Sequence, residues 1–280
     1  IGNYTMNGNQ NDSDHNIAIG HQALNGLTTG DGNVSIGGGS GYAVTDVDNL
    51  VLIGKDAGAA INNAGADGSV AIGGLALNAL TSGANNLAIG YNAGKTLTTG
   101  AQNLAIGREA LENHLTGESN IAIGYLSMGD TDAGTNSQDS DHNTFIGLVS
   151  GGGTWANTTS EYNVGVGNYT LDGAMDDANY NTAVGYQALT GLTTGDRNTV
   201  LGSQSGIALA SGGYNTILGG GAGKVTTDVD NAVIIGYGAC ADGALDNNAD
   251  GTVAIGYDSL KALTSGAKNI AIGYQALQHS

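Results

Sequence analysis

The chain has 280 residues, a formal net charge of −18 from 25 acidic against 7 basic residues, 50 glycines, no proline and one cysteine. That is more than twice the roughly 20 glycines of average usage, yet the Gly-x-y period and the proline of collagen are missing, and the evenly recurring aliphatics argue against a disordered chain. The charge disfavours nucleic acid and anionic lipid as partners, the lone Cys240 excludes an intrachain disulfide or a cysteine-based zinc site, and no apolar run approaches the ~18 residues of a membrane span.

From its first residues the chain repeats one phrase, Asn-x-x-aliphatic-Gly. The closing glycines are Gly2, Gly20, Gly37, Gly54, Gly73, Gly90, Gly107, Gly124, Gly147, Gly167, Gly185, Gly202, Gly219, Gly236, Gly256 and Gly273, most often 17 residues apart. A short fixed period marks a solenoid, in which no single repeat buries its own apolar face. Seventeen residues are too few for a helical hairpin and suit one coil of a β-solenoid, with two short strands and two turns. The expected fold is an all-β, parallel β-solenoid of about 15 coils. It runs over residues 1–280 as one array, with both ends reading as cut from a longer fibrous chain.

Within a coil the asparagine comes first. Asn16, Asn33, Asn86, Asn103, Asn120, Asn181, Asn198 and Asn269 share this column, and stacked amides there are expected to form a hydrogen-bonded ladder. At Asn49 and Asn231 the residue sits one place early, which reads as a bulge. The next three residues alternate aliphatic, small, aliphatic, the period of a strand. The expectation is that the small residues form one face, suited to contact between chains. Then comes the turn glycine, of which Gly20, Gly37, Gly90, Gly107, Gly124, Gly185, Gly202 and Gly273 are examples. Three places on, the column holds only Ala, Ser or Thr, so something packs tightly there; the next position is Leu, Met or Gly, with Cys240 as a small apolar filler. Leu-Thr-Thr-Gly closes the coil, its leucine returning to the core and its glycine supplying a positive φ.

Along the chain, a few stretches depart from the pattern. Asp-Ser-Asp-His occurs at 12–15 and, as Asp139, Asp141 and His142, at the end of a long insertion at 129–142. These acids, with Asp46/Asp48 and Asp228/Asp230, are either solvated turn residues or partial cation ligands. Asp-x-Asp alone supplies too few oxygens for calcium, so no metal or cofactor is expected. The next coil holds the only tryptophan, Trp155. It is either a platform for a sugar or a cover for the solenoid edge. Tyrosine follows the marker glycine at 91, 125, 186, 237, 257 and 274, again as a ligand stripe or as edge shielding. Residues 2–37 resemble 167–202, and 45–90 resemble 227–273, so the array reads as copied in blocks.

A 17-residue coil encloses little volume, and apolar strand faces call for burial by parallel packing of identical chains. At this point the residues resemble a known family. Asn-x-Ala-Ile-Gly with a small residue three places on is similar to the head repeats of trimeric autotransporter adhesins, the YadA-like heads. The longer form with Gly-Tyr-Gln-Ala-Leu and Leu-Thr-Thr-Gly looks closer still to repeats of phage tail-fibre proteins. The resemblance covers essentially the whole chain, and the period here is longer than in the adhesin heads. It implies a left-handed β-roll assembled as a parallel homotrimer. It also implies an extracellular place on a virion fibre or a bacterial surface. The function it implies is non-enzymatic attachment to a host surface glycan or protein. A polysaccharide-degrading tailspike would need clustered carboxylates with a base or cation, and the Asp residues are scattered. An ice-binding face would need an unbroken Thr array, and the Thr-Thr pairs recur in only some coils.

Overall fold

In the computed structural model, residues 1–9, 11–130 and 139–279 are described. They form two compact units, one ending at His142 and the other beginning at Asn143. Both are stacks of parallel β-solenoid coils, seven strands in the first and eight in the second.

In the first unit the strands are β1 (Ile17–Ile19), β2 (Val34–Ile36), β3 (Val51–Ile53), β4 (Val70–Ile72), β5 (Leu87–Ile89), β6 (Leu104–Ile106) and β7 (Ile121–Ile123). In the second they are β8 (Thr144–Ile146), β9 (Val164–Val166), β10 (Thr182–Val184), β11 (Thr199–Leu201), β12 (Thr216–Leu218), β13 (Val233–Ile235), β14 (Val253–Ile255) and β15 (Ile270–Ile272). Within each unit every strand pairs in parallel with the next, residue for residue, as in Leu87↔Leu104 and Thr182↔Thr199. The pairing β2–β3 is in register, and so is β12–β13. Asn49 and Asn231 therefore mark no bulge; each takes a left-handed position (φ 58° and 56°) just before the ladder column.

Among the described residues each coil has one strand where two were expected. The reason lies after the marker glycine, where the second and fourth residues take positive φ, as in Gln22 (58°) and Leu24 (47°) or Glu109 (59°) and Leu111 (53°). Left-handed residues at alternate positions break any extended run. The backbone groups on that side still bond to the next coil: Leu24 N–H donates to Ser40 O (3.0 Å) and Thr28 N–H to Thr45 O (2.9 Å). The stack is thus hydrogen-bonded along its axis on the turn side as well as the strand side.

The strand faces are the reverse of the expectation. The small middle residue points inward, with Ala71, Ala105 and Ala183 buried, and the two flanking aliphatics point outward. A narrow coil explains this. Its interior must also hold the small column (Ala23, Ser40, Ala110), the left-handed column (Leu24, Leu77, Leu111) and the closing leucines (Leu27, Leu80, Leu97, Leu192), all buried. No room is left for a second large side chain from the strand.

Where the middle residue is large, the left-handed column is small: Cys240 in the coil of Ile234, and glycine in the others. A Cβ at Gly58 would lie 2.7 Å from Leu52 Cδ2, and one at Gly151 would lie 2.7 Å from Phe145 Cδ1. Val200 and Ile217 share coils with Gly206 and Gly223 in the same way, whereas Ala18, Ala122 and Ala254 share coils with Leu24, Met128 and Leu260. In the coils of Ser35/Gly41 and Ala88/Gly94 both positions are small, and leucines of neighbouring coils fill the space: Leu24 and Leu52 against Gly41, Leu77 against Gly94. The two columns exchange volume so that each layer is filled.

Extra residues are taken up at the corners. One-turn 3-10 helices at Ala64–Ala66 and Asn247–Ala249 absorb two of the longer coils. Asn63 and Asp246 cap them by accepting from Gly65 N–H and Asn248 N–H, each at 2.9 Å. The closing glycine of Leu-Thr-Thr-Gly is mostly not a positive-φ residue: Gly83 and Gly266 are, at 120° and 103°, but Gly30, Gly100 and Gly195 are not. It is small because the next coil passes too close. A Cβ at Gly30 would collide with Val47 O, and one at Gly100 with Gly117 O.

Candidate functional site

The asparagine column forms amide ladders. Asn103 N–H donates to Asn86 Oδ1 (3.0 Å), Asn103 Nδ2 donates to Gly117 O (2.8 Å), and Asn103 Oδ1 accepts from Asn120 N–H (3.0 Å). The same chain of bonds links Asn143, Asn163, Asn181, Asn198 and Asn215. Asn33 N–H donates to Asn16 Oδ1 at 2.8 Å. Leu50, Ser69, Ala232 and Thr252 interrupt the amide column. Asn269 bonds within its own coil, to Gly266 O.

The marker glycines are held by two constraints at once. Gly20, Gly37, Gly90, Gly107, Gly124, Gly185 and Gly202 have φ between 134° and 145°. A Cβ on any of Gly37, Gly90, Gly107, Gly185 or Gly202 would also strike the carbonyl of the next marker glycine. Gly273 has the conformation (φ 132°) without the neighbour.

Trp155 is not a surface platform. It is 0 % exposed and meets Phe145 edge-on, with centroids 5.8 Å apart at 71°. The coil is widened by three residues, and Gly151 and Gly165 clear space around Phe145, so the indole turns inward. Its Nε1 has no hydrogen-bond partner. Asp139 is exposed and accepts from the Thr116 hydroxyl, while Asp141 accepts from Glu118 N–H at 2.5 Å. His142 takes a left-handed position (φ 58°) and donates its N–H to Glu118 O (3.1 Å). The two Asp side chains and the His142 backbone thus bond to the preceding coil. The rest of the insertion, 131–138, lies outside the described residues.

The other Asp pairs behave alike and form a second ladder, two residues ahead of the asparagines. Asp14 N–H donates to Asp31 Oδ1 (2.6 Å), Asp31 N–H to Asp48 Oδ1 (2.7 Å) and Asp230 N–H to Asp250 Oδ1 (2.9 Å). Asp46 accepts from Thr45 and Asp228 from Ser211. Among the described residues no three His, Cys, Asp or Glu side chains converge as a metal site, and no helix is long and apolar enough to cross a membrane. Cys240 is buried, and burial pushes its thiol up to about 12. The periodic Asp is the sequence signal for this ladder, but read as pairs it suggests only solvated turns or partial cation ligands.

The tyrosines after the marker glycine are exposed, and in the second unit the last three stack. Tyr237 and Tyr257 lie 5.8 Å apart at 11°, and Tyr257 and Tyr274 lie 5.3 Å apart at 11°. A second stack went unread in the sequence, although its residues recur directly before the asparagines. Tyr162 lies on Tyr180 (5.0 Å, 5°), and the Arg197 guanidinium lies between Tyr180 and Tyr214 at 5.0 and 5.3 Å. Such cation–π layers stabilise an exposed column. A hollow also opens beside Tyr237, over the glycine run Gly219–Gly221.

Comparison of the chain with family models finds no match, and comparison with curated proteins finds none either.

Proposed function

We propose that the chain is a non-enzymatic fibre segment, assembled as a parallel homotrimer through its strand faces. In this reading it serves attachment to a host surface as part of an extracellular phage tail or appendage fibre. The observation that carries the reading is the outward strand face. Its column just before the marker glycine is Ile, Val or Leu in every coil. Away from the chain ends, Ile89 is still 36 % exposed and Leu201 51 %. A continuous aliphatic column is a poor solvent surface and a good contact surface. Identical parallel stacks bury it through one repeated contact. The resemblance to trimeric fibre and adhesin repeats supports the same assembly, and the exposed tyrosine columns supply adhesive surface.

The test is the molar mass in solution by light scattering. One chain is 27.7 kDa. A mass of about three chains is expected, and a mass of one chain overturns the trimer.

A further inference from the structure

The second unit carries a hollow of about 340 Å³, within the size range of small-ligand sites. It exists because side chains are missing where other coils have them. Two residues after the marker glycine, other coils of this unit carry Gln187, Gln204 and Asp258, all at positive φ like Gly221 (65°), while the coil directly after it carries a second glycine, Gly238 (66°). The backbone therefore does not require glycine at 221. A Cβ there would meet nothing within 4 Å. The related run Gly37–Gly39 in the first unit is different, because a Cβ at Gly39 would collide with the Asp56 carboxylate. One glycine makes room for a neighbour, and the other leaves a vacant floor.

The walls of the hollow are polar and aromatic. Tyr237 is 66 % exposed, and its ring edge lies 3.4 Å from where a Cβ on Gly220 would stand. The stack on Tyr257 holds the ring in place. Opposite, Lys261 Nζ lies 3.3 Å from Asp258 Oδ2 and 3.7 Å from Asp242 Oδ2. Lys224 also lines the hollow. It is exposed, and among the described residues no carboxylate pairs with it. In a chain with 7 basic residues and a net charge of −18, two of the lysines border this one hollow.

We propose that this hollow is a binding subsite for a sugar residue that carries a carboxylate, such as a uronic acid unit of a polysaccharide. The apolar face of a pyranose fits the Tyr237 ring. Its hydroxyls have Asp258, Asp242 and Gln204 as partners, and its carboxylate takes the Lys224 ammonium, a charge-assisted contact. A lipid chain would find Tyr237 and Ala241 as its apolar side chains, set among glycines and a charged rim. The subsite draws on the attachment reading for its biological use but not for its chemistry. It is built from positions one to six residues after the marker glycine, whereas the proposed seam uses positions one and three before it.

The test is an NMR titration of the whole chain with methyl β-D-glucuronoside and with methyl β-D-glucoside, which differ only at the carboxylate. The glucuronoside is expected to bind at least about fivefold tighter, with Lys224→Ala bringing the two to parity. Gly221→Gln places in the hollow a residue that Gln187 and Gln204 already carry in the same column and conformation. It is expected to weaken both glycosides by about tenfold or more with an unchanged melting curve. The proposal is overturned if wild type binds neither glycoside, if it binds both equally, or if Gly221→Gln leaves binding intact. Light scattering on the same samples reports the trimer separately, so failure of the subsite and failure of the fibre reading are distinguishable.

Discussion

His114 stands in the closing-leucine column, where Leu80 and Leu97 precede it. It is fully buried, beside Asn120 Nδ2 at 3.2 Å from its Nε2. Burial pulls its pKa from 6.5 down to about 4, with the Ser140 backbone opposing weakly. The folded chain therefore holds a neutral imidazole at pH values where the unfolded chain has a charged one. The unfolded state binds more protons between pH 4 and 6.5, so stability is greatest above 6.5 and falls as the pH drops toward 4. The loss approaches about 3 kcal/mol at the acid end. Denaturant unfolding of wild type and His114→Leu at pH 7.5 and pH 4.5 checks this. The leucine variant is expected to gain on wild type as the pH falls, and a pH-independent gap contradicts the assignment. Asp172 runs the other way. Burial raises its carboxyl to about 6, so its contribution is lost as the pH rises from 3.8 through 6, which is why the comparison uses the His114 variant rather than the raw pH curve.

At the scale of the coil, the exchange of volume between the strand's middle residue and the left-handed column is the packing rule. Leu52→Ala leaves a cavity worth about 3 kcal/mol, and Gly58→Leu overpacks by about 2 kcal/mol. The double variant rebuilds the small-then-leucine pairing of Ala71 with Leu77. Leu171 and Leu189 on successive coils, over Gly165 and Ala183, show that stacked leucines fit this column. The pair is expected to lie within about 1–2 kcal/mol of wild type rather than near the sum of the single losses. Additive losses in urea unfolding contradict the rule. The period and the one strand per coil that holds Asn-x-x-aliphatic-Gly are legible in the sequence, because glycine and asparagine recur there for backbone reasons. Which strand face points inward is not legible, since Ala and Ile are both apolar and a period of two carries no sign. The missing second strand is hidden for a related reason: leucine, glutamine and tyrosine at positive φ do not look like turn residues. The inward position of Trp155 is not legible because an insertion has no period to place it. The hollow at Gly221 is invisible because it consists of an absent side chain, one glycine among 50.

For the molecule as a whole, the reversed faces change the basis of the assembly and leave the assembly itself as the proposal. A seam of alanine and serine would have left the aliphatics inside a coil too narrow to hold them. With the alanines inside, the outward Ile, Val and Leu columns are what a partner chain must cover. Symmetry lets one kind of contact repeat along every coil of a unit. Hydroxyl-radical footprinting of the purified chain tests that cover most directly, by reading the labelling rate of Leu201 against Leu192 and Tyr237. Within one chain Leu201 is 51 % exposed, Leu192 is buried and Tyr237 is 66 % exposed. Covered by a second copy, Leu201 is expected to label as slowly as Leu192 while Tyr237 labels fast. Labelling of Leu201 at the rate of a half-exposed leucine would contradict the strand-face trimer.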